Sequence, residues 1–127
     1  MTYTEPDAIA AIARAIQTEQ NYVFAAGLAG AFLRGAGRRR AVNQLAEHRA
    51  RLQANAALVD PADVPPTPPG FTPESPITDP KSARSALAAL SNALVGVYAD
   101  VASVTEGADR ATAIGWAQAS ARDAVRW

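Results

Sequence analysis

Two ionisable residues stand where the pattern of this chain calls for apolar ones. Glu19 falls inside a run of apolar positions, Ile9, Ile12, Ile16, Val23, Ala26, Gly30 and Leu33, that recur at alternating spacings of three and four. His48, the only histidine, lies on or beside a second run formed by Leu45, His48 or Arg49, Leu52, Asn55 or Ala56, and Val59. A carboxylate and an imidazole on two packed helices can hydrogen-bond as a buried pair, pass a proton, or hold a metal ion. A lone carboxylate in an apolar stripe is costly, so Glu19 needs a partner. The partners on offer are His48, Arg49 and Arg51, all in the segment that carries the second run. The expected arrangement is therefore a buried polar pair or cluster of Glu19, His48, Arg49 and Arg51. Glu19 and His48 are also the two candidate metal ligands, and no residue is assigned a catalytic role.

The metal alternative can be tested against a known recipe. A carboxylate-bridged di-iron or di-manganese centre in a helical bundle takes a Glu from each of two helices and a Glu-x-x-His pair from each of the other two. Here the residue three before His48 is Leu45, and Asp100, Asp109 and Asp123 fall near helix ends. One chain cannot assemble the set, so no cofactor is expected, with iron or manganese at a reduced Glu19/His48 site as the alternative. With no cysteine, thiolate zinc sites, iron–sulfur clusters and cysteine nucleophiles are excluded. Arg38, Arg39 and Arg40, with Arg34, Arg49 and Arg51, make a local basic patch. The net charge is zero and no aromatics interleave the patch, so it reads as a solvated face and nucleic acid is not an expected partner.

The elements that must position these residues are helices. Ala supplies 31 of the 127 residues, and Ala is the strongest helix former. A first helix is expected over about 5–34, with Thr4 as cap and Pro6 in the first turn, and Gly35–Gly37 as its break. A second spans about 38–59. Eight of the nine prolines then fall between Pro61 and Pro80, which no helix interior or central strand tolerates. A third helix, about 80–105, starts at Asp79 and Pro80 and buries Leu87, Leu90, Leu94, Val97, Val101 and Val104. A fourth, about 108–126, directs Ile114, Ala117 or Gln118, Ala121 and Val125 inward, with at least one of Trp116 and Trp127 against a neighbour.

Lengths decide the topology. The second helix is roughly 30 Å long at ~1.5 Å per residue. The proline segment, residues 60–79, reaches about 60 Å at ~3 Å per residue, so it can climb the bundle and make helices two and three parallel. The expectation is a single all-α domain, 1–127, with up-down, long crossover, up-down connectivity. A linker between two hairpins that pair with another chain is the competing arrangement. With the first turn centred in Gly35–Gly37, Glu19 and His48 stand about one and a half turns apart, roughly 7–8 Å along the axis.

At this point the chain resembles a ferritin-like four-helix-bundle family of high-GC bacteria, catalogued as a domain of unknown function. The resemblance rests on Glu19–Gly27 in the first helix and His48–Leu52 in the second. It rests also on Ile77–Pro80 followed by Ala83 and Arg84, and on the closing Ala124–Trp127. It covers nearly the whole chain and implies a fold with no established activity. The sequence departs from the family's pattern at Gln20, where His is common, and at Leu90–Leu94, where an acidic residue is common. Both departures remove candidate ligands.

The expected role is a non-catalytic structural or protein-interaction module, homodimeric or with another protein partner. Met1–Asp7 is acidic without an apolar core, and the uncharged stretches Gln20–Leu33 and Ser85–Ala99 fall short of the ~20 residues of a span. The expected setting is the cytoplasm, with no membrane partner.

Overall fold

The structure, a computed structural model, describes residues 2–127. It is an all-α bundle of four helices: α1 (Pro6–Gly30), α2 (Gly35–Ala56), α3 (Pro80–Val104) and α4 (Gly107–Arg126). A short 3-10 turn, Pro61–Asp63, opens the crossover. Pro6 fits the first turn of α1, where its missing N–H costs nothing, and Asp7 complements the helix dipole. The cap position falls at Glu5, one residue later than Thr4, and no side chain bonds it. α3 begins as its sequence dictates. Asp79 Oδ1 accepts from the Ser82 N–H at 2.7 Å and Ser82 Oγ accepts from the Asp79 N–H at 3.0 Å, a reciprocal capping box. Those bonds hold the Asp79 carboxyl below its usual range.

The direction of each helix follows from its end contacts. At the lower end the Tyr3 N–H donates to Leu58 O at 2.8 Å, and the Tyr3 hydroxyl donates to Asp109 Oδ2 at 2.8 Å. That joins the start of α1 to the end of α2 and the start of α4. At the upper end the Arg40 guanidinium donates to Arg126 O at 2.8 Å, joining the start of α2 to the end of α4. Gly37, also at the start of α2, lies beside Arg84 near the start of α3. So α2 and α3 run down in parallel, α1 and α4 run up, and the crossover climbs the whole bundle. On the way Pro65 O accepts from Gln20 Nε2 at 3.5 Å, Gly70 lies beside the Phe24 ring, and Ile77 is buried. The helices pack within one chain, not as two open hairpins.

The core gathers Ile12, Ile16, Leu33, Leu87, Leu94 and Val101 with many alanines, Ala15, Ala25, Ala26, Ala29 and Ala83 among them. Each large apolar side chain contributes about 1.5–3 kcal/mol on burial. The alanines contribute less, but their small side chains leave little bulk between the helices. α1 packs on α2 and α3, and α3 packs on α4. α3 is long and apolar enough to cross a membrane by length and composition, yet here it packs between α1 and α4 and buries Ser91 and Tyr98.

Two sequence expectations are corrected. The first turn is not Gly35–Gly37. α1 ends at Gly30, the chain turns over residues 31–34, and Gly35, with φ of 56°, already opens α2. A left-handed conformation suits glycine, so the residue read as the break serves as the launch point. The register of α4 is also off by one. Ala113 and Ser120 are buried, while Ile114 and Val125 are exposed at 45% and 87%. Large apolar side chains drew the stripe to the wrong face. The inward face is built of Ala, Ser and tryptophan, and both Trp116 and Trp127 pack against the core.

Candidate functional site

Glu19 lies at the centre of the bundle with no exposed surface, and His48 is 1% exposed. They touch. The ring Nδ1 stands 2.5 Å from Glu19 Oε1. The corrected turn explains the contact: measured from the centre of a turn at residues 31–34, the offset between the two residues falls to two positions, about 3 Å along the antiparallel helices, which the side chains bridge. The second carboxylate oxygen, Oε2, accepts from the Tyr98 hydroxyl of α3 at 2.6 Å. Glu19 thus ties α1 to α2 through one oxygen and to α3 through the other. A carboxylate only accepts, so the imidazole proton facing it sits on Nδ1, and Nε2 points away from Glu19.

The network extends in both directions. Asn55 Nδ2 donates to the Tyr98 oxygen at 3.2 Å and to Arg51 O at 2.9 Å. The Tyr98 ring meets Trp116 edge-on at 5.2 Å, and the Arg51 guanidinium lies 5.7 Å from the same indole. Above this layer Tyr22 stacks on His48, ring centroids 3.7 Å apart and 18° from parallel. The Tyr22 hydroxyl donates to Gln44 Oε1 and accepts from Trp127 Nε1 at 3.2 Å and from Ser91 Oγ at 3.5 Å. Burial pushes the Tyr22 phenol up to about 12. Burial, then the Glu19 charge, raises the Tyr98 phenol far above its ordinary value.

The predicted cluster divides. Glu19, His48 and Arg51 are buried around this centre, but Arg49 is exposed and takes no part. One residue along a helix is a rotation of about 100°, which carries Arg49 off the inward face. Of the basic patch, Arg34, Arg38 and Arg39 are exposed as well, while Arg40 lies over Trp127 at 5.2 Å. The patch makes no ion pair with the acidic crossover. Among the described residues the ion pairs are Arg14 with Asp100 and His48 with Glu19.

Sequence reasoning missed Tyr22, Gln44 and Tyr98, and gave Asn55 only as an alternative to Ala56 on the inward stripe. A signal existed for Gln44, Asn55 and Tyr98. Gln44, His48, Arg51 and Asn55 recur at four, three and four, a polar stripe on one face of α2 that is as regular as an apolar one. Tyr98 follows Ser91 by two helical turns, beside the apolar stripe of α3.

As a metal centre the arrangement does not fit. Among the described residues no three His, Cys, Asp or Glu side chains come together to hold an ion. Both Glu19 oxygens are engaged by side chains of this chain. An ion ~2.1 Å from both a nitrogen and an oxygen would set those atoms about 3 Å or more apart, wider than the 2.5 Å seen between Nδ1 and Oε1.

The fold recurs in a solved structure, a conserved hypothetical protein, rv2844, from Mycobacterium tuberculosis. The two chains are 22% identical and superpose with a TM-score of 0.86, over 98% of this chain and 97% of that one. No curated protein matches the sequence. The family described as Domain of unknown function (DUF4439) matches residues 11–127, nearly the whole of the bundle, and the chain belongs to that family.

Proposed function

We propose that this domain is a non-catalytic structural or protein-interaction module: a ferritin-like frame whose centre is closed by hydrogen-bonded side chains in place of metal ions. One observation carries the reading. The carboxylate at the middle of the bundle is bonded on one oxygen by His48 and on the other by Tyr98, so it staples three helices and both its oxygens are engaged within the chain. Catalysis by general acid or base needs a group that can reach a substrate, and Glu19 is sealed from solvent.

The surface supports a protein partner or a second copy of the chain. Ile114 and Val125 lie on the outward face of α4. A groove of about 670 Å³ runs between Phe71–Ser75 of the crossover and Ala86, Ala89 and Leu90 of α3. The zero net charge favours neither nucleic acid nor an anionic membrane, and a cytoplasmic setting is part of the proposal.

Elemental analysis of protein purified from iron- and manganese-supplemented medium, with its mass in solution, tests the reading. The expected result is no stoichiometric metal and a mass above that of one chain. Stoichiometric iron or manganese that is lost in Glu19→Ala would overturn it in favour of a reduced metal site completed across a dimer.

A further inference from the structure

Among the described residues four polar side-chain atoms are buried without a hydrogen-bond partner: His48 Nε2, Arg51 Nη1, Asn55 Oδ1 and Ser120 Oγ. Their placement is not scattered. His48, Arg51 and Asn55 follow one another along the inward face of α2, and Ser120 is on the inward face of α4. These two helices are antiparallel, and they approach less closely than the other neighbouring pairs. Long side chains span the seam between them. Arg51 reaches Trp116 at 5.7 Å, and Trp127 Nε1 donates to Gln44 Oε1 at 3.0 Å. Those two contacts set the register. One turn above the Arg51–Trp116 contact stand His48 on α2 and Ser120 on α4, beneath the Gln44–Trp127 contact. His48, Arg51 and Ser120 therefore line one stretch of the seam, with Asn55 at its lower end, and they are 1%, 7% and 1% exposed.

The chemistry of the three groups selects an occupant. Arg51 is a buried cation with no carboxylate at ion-pair distance. A buried charge without a counter-charge is strongly unfavourable. A hydroxyl can donate, and His48 Nε2 can donate when the ring carries both protons. An apolar guest would leave all three unpaired, and a cation would meet the guanidinium charge. An anion with several acceptor oxygens satisfies them together, and guanidinium–oxyanion bonds are the strong, charge-assisted kind. We propose that the α2–α4 seam binds a small oxyanion, of the size of phosphate or a short carboxylate, between Arg51, Ser120 and His48. This goes beyond the scaffold reading and stands or falls separately from it, since a scaffold can hold an anion or not.

The sole histidine makes the test direct. The two ring nitrogens of His48 give the only imidazole 15N resonances of the full chain in a long-range proton–nitrogen correlation spectrum. Inorganic phosphate is added in one arm and acetate in another, with chloride at matched pH and ionic strength as the control. The expected result is a saturable millimolar displacement of Nε2, larger than that of Nδ1, in at least one oxyanion arm and not with chloride. Which arm saturates tells a tetrahedral anion from a carboxylate. Arg51→Met should weaken the response about tenfold or more, and Ser120→Ala several-fold with an unchanged circular dichroism spectrum. Should Arg51→Met not fold, Ser120→Ala carries the same comparison. No saturation in either arm, or saturation unaltered by these substitutions, overturns the proposal.

Discussion

Replacing Glu19 with glutamine isolates what the central carboxylate does, because the side chain keeps its shape and loses its charge. At present Oε1 faces His48 Nδ1 at 2.5 Å and Oε2 faces the Tyr98 hydroxyl at 2.6 Å, and both bonds are charge-assisted. Such bonds contribute about 1.5–3 kcal/mol each. Glutamine has one acceptor oxygen. If that oxygen stays with His48, the amide NH2 meets the Tyr98 hydroxyl, which must turn to accept and leave its own hydrogen unbonded. If the amide is flipped, His48 must carry its proton on Nε2, which has no acceptor beside it. Either way both bonds become neutral and one buried hydrogen is left without an acceptor, while removal of a buried charge recovers part of its desolvation cost. The net expected loss is roughly 2–3 kcal/mol. Against a total stability of about 5–15 kcal/mol for a domain this is a large fraction. Urea unfolding, followed by helical circular dichroism and by tryptophan fluorescence, reads it as a lower midpoint at unchanged slope. Trp116 packs on Tyr98, so fluorescence reports the site itself. The companion measurement is the cycle of Glu19→Gln with Tyr98→Phe, for which a coupling of about 1 kcal/mol or more is expected. A loss below about 0.5 kcal/mol, the level of an ordinary surface substitution, or strict additivity in the cycle, would refute the claim that this carboxylate holds the helices together.

Stability should fall at alkaline pH for a stated reason. The Tyr22 phenol is raised to about 12 in the native state, against about 10 when unfolded. Native protein therefore keeps a proton that the unfolded chain has shed. The stabilisation is complete below about pH 10 and declines as pH rises towards 12, by about 1.4 kcal/mol per unit for this residue. Tyr98 acts in the same direction. Denaturant midpoints across that range should fall less steeply in Tyr22→Phe, and an identical slope would count against the assignment. Gly35→Ala and Gly107→Ala should each cost roughly 1–2 kcal/mol through backbone strain alone, since both have φ of 56° and open space around a new Cβ. Gly96→Ala, inside α3 and equally unobstructed, should instead gain about 0.5–1 kcal/mol; thermal melts of the three variants separate the two effects. Finally, the triple variant Glu19→Leu, His48→Leu, Tyr98→Phe should be no less stable than Glu19→Gln, because it removes the carboxylate together with both groups bonded to it, while Asn55 Nδ2 keeps its bond to Arg51 O. A much lower midpoint for the triple variant would show that the layer contributes net stability.

Much of this fold can be read in the sequence because its strongest signals are local. The proline run before Asp79 cannot be α-helix, Asp79 and Pro80 must begin one, and a segment of that length lets α2 and α3 run parallel. Glu19 is legible for the opposite reason: it breaks an otherwise apolar stripe, so its need for a partner can be stated before any partner is seen. What was not legible depends on packing partners. Tyr98 sits next to Val97 on α3, and both are buried, because a helix flanked by α1 and α4 has two inward faces and the second carries no apolar run of its own. The α4 register failed because Ile114 and Val125 carry more hydrophobic weight than Ala113 and Ser120, although the bundle buries the smaller pair. Arg49 and Arg51 look alike in sequence. Their positions differ by about 200° around α2, and the polar stripe with His48 and Asn55 takes Arg51 over Trp116 while Arg49 stays in water.

The composition of the chain gives the polar layer a second role. Seams built of alanine are smooth: sliding one Ala-rich helix past another by a turn exchanges one small side chain for another and changes the buried area little. Apolar burial alone therefore leaves the relative height of α1, α2 and α3 weakly determined. Glu19 removes that freedom. At any other stagger its carboxylate would be buried without His48 on one oxygen and Tyr98 on the other, a penalty of several kcal/mol. Tyr22 repeats the constraint above the carboxylate, stacked on His48 and bonded to Gln44 and Ser91, so that the same three helices are pinned twice. A slip of one turn would break both pins at once. In this reading the ionisable centre is retained for the single register it imposes on an alanine-rich bundle, a use that needs no metal and no substrate. It also accounts for the polar stripe of α2: Gln44, His48 and Asn55 each meet a group from another helix. Arg51 is the member whose charge is left over, and that surplus marks the place where an anion would complete the layer.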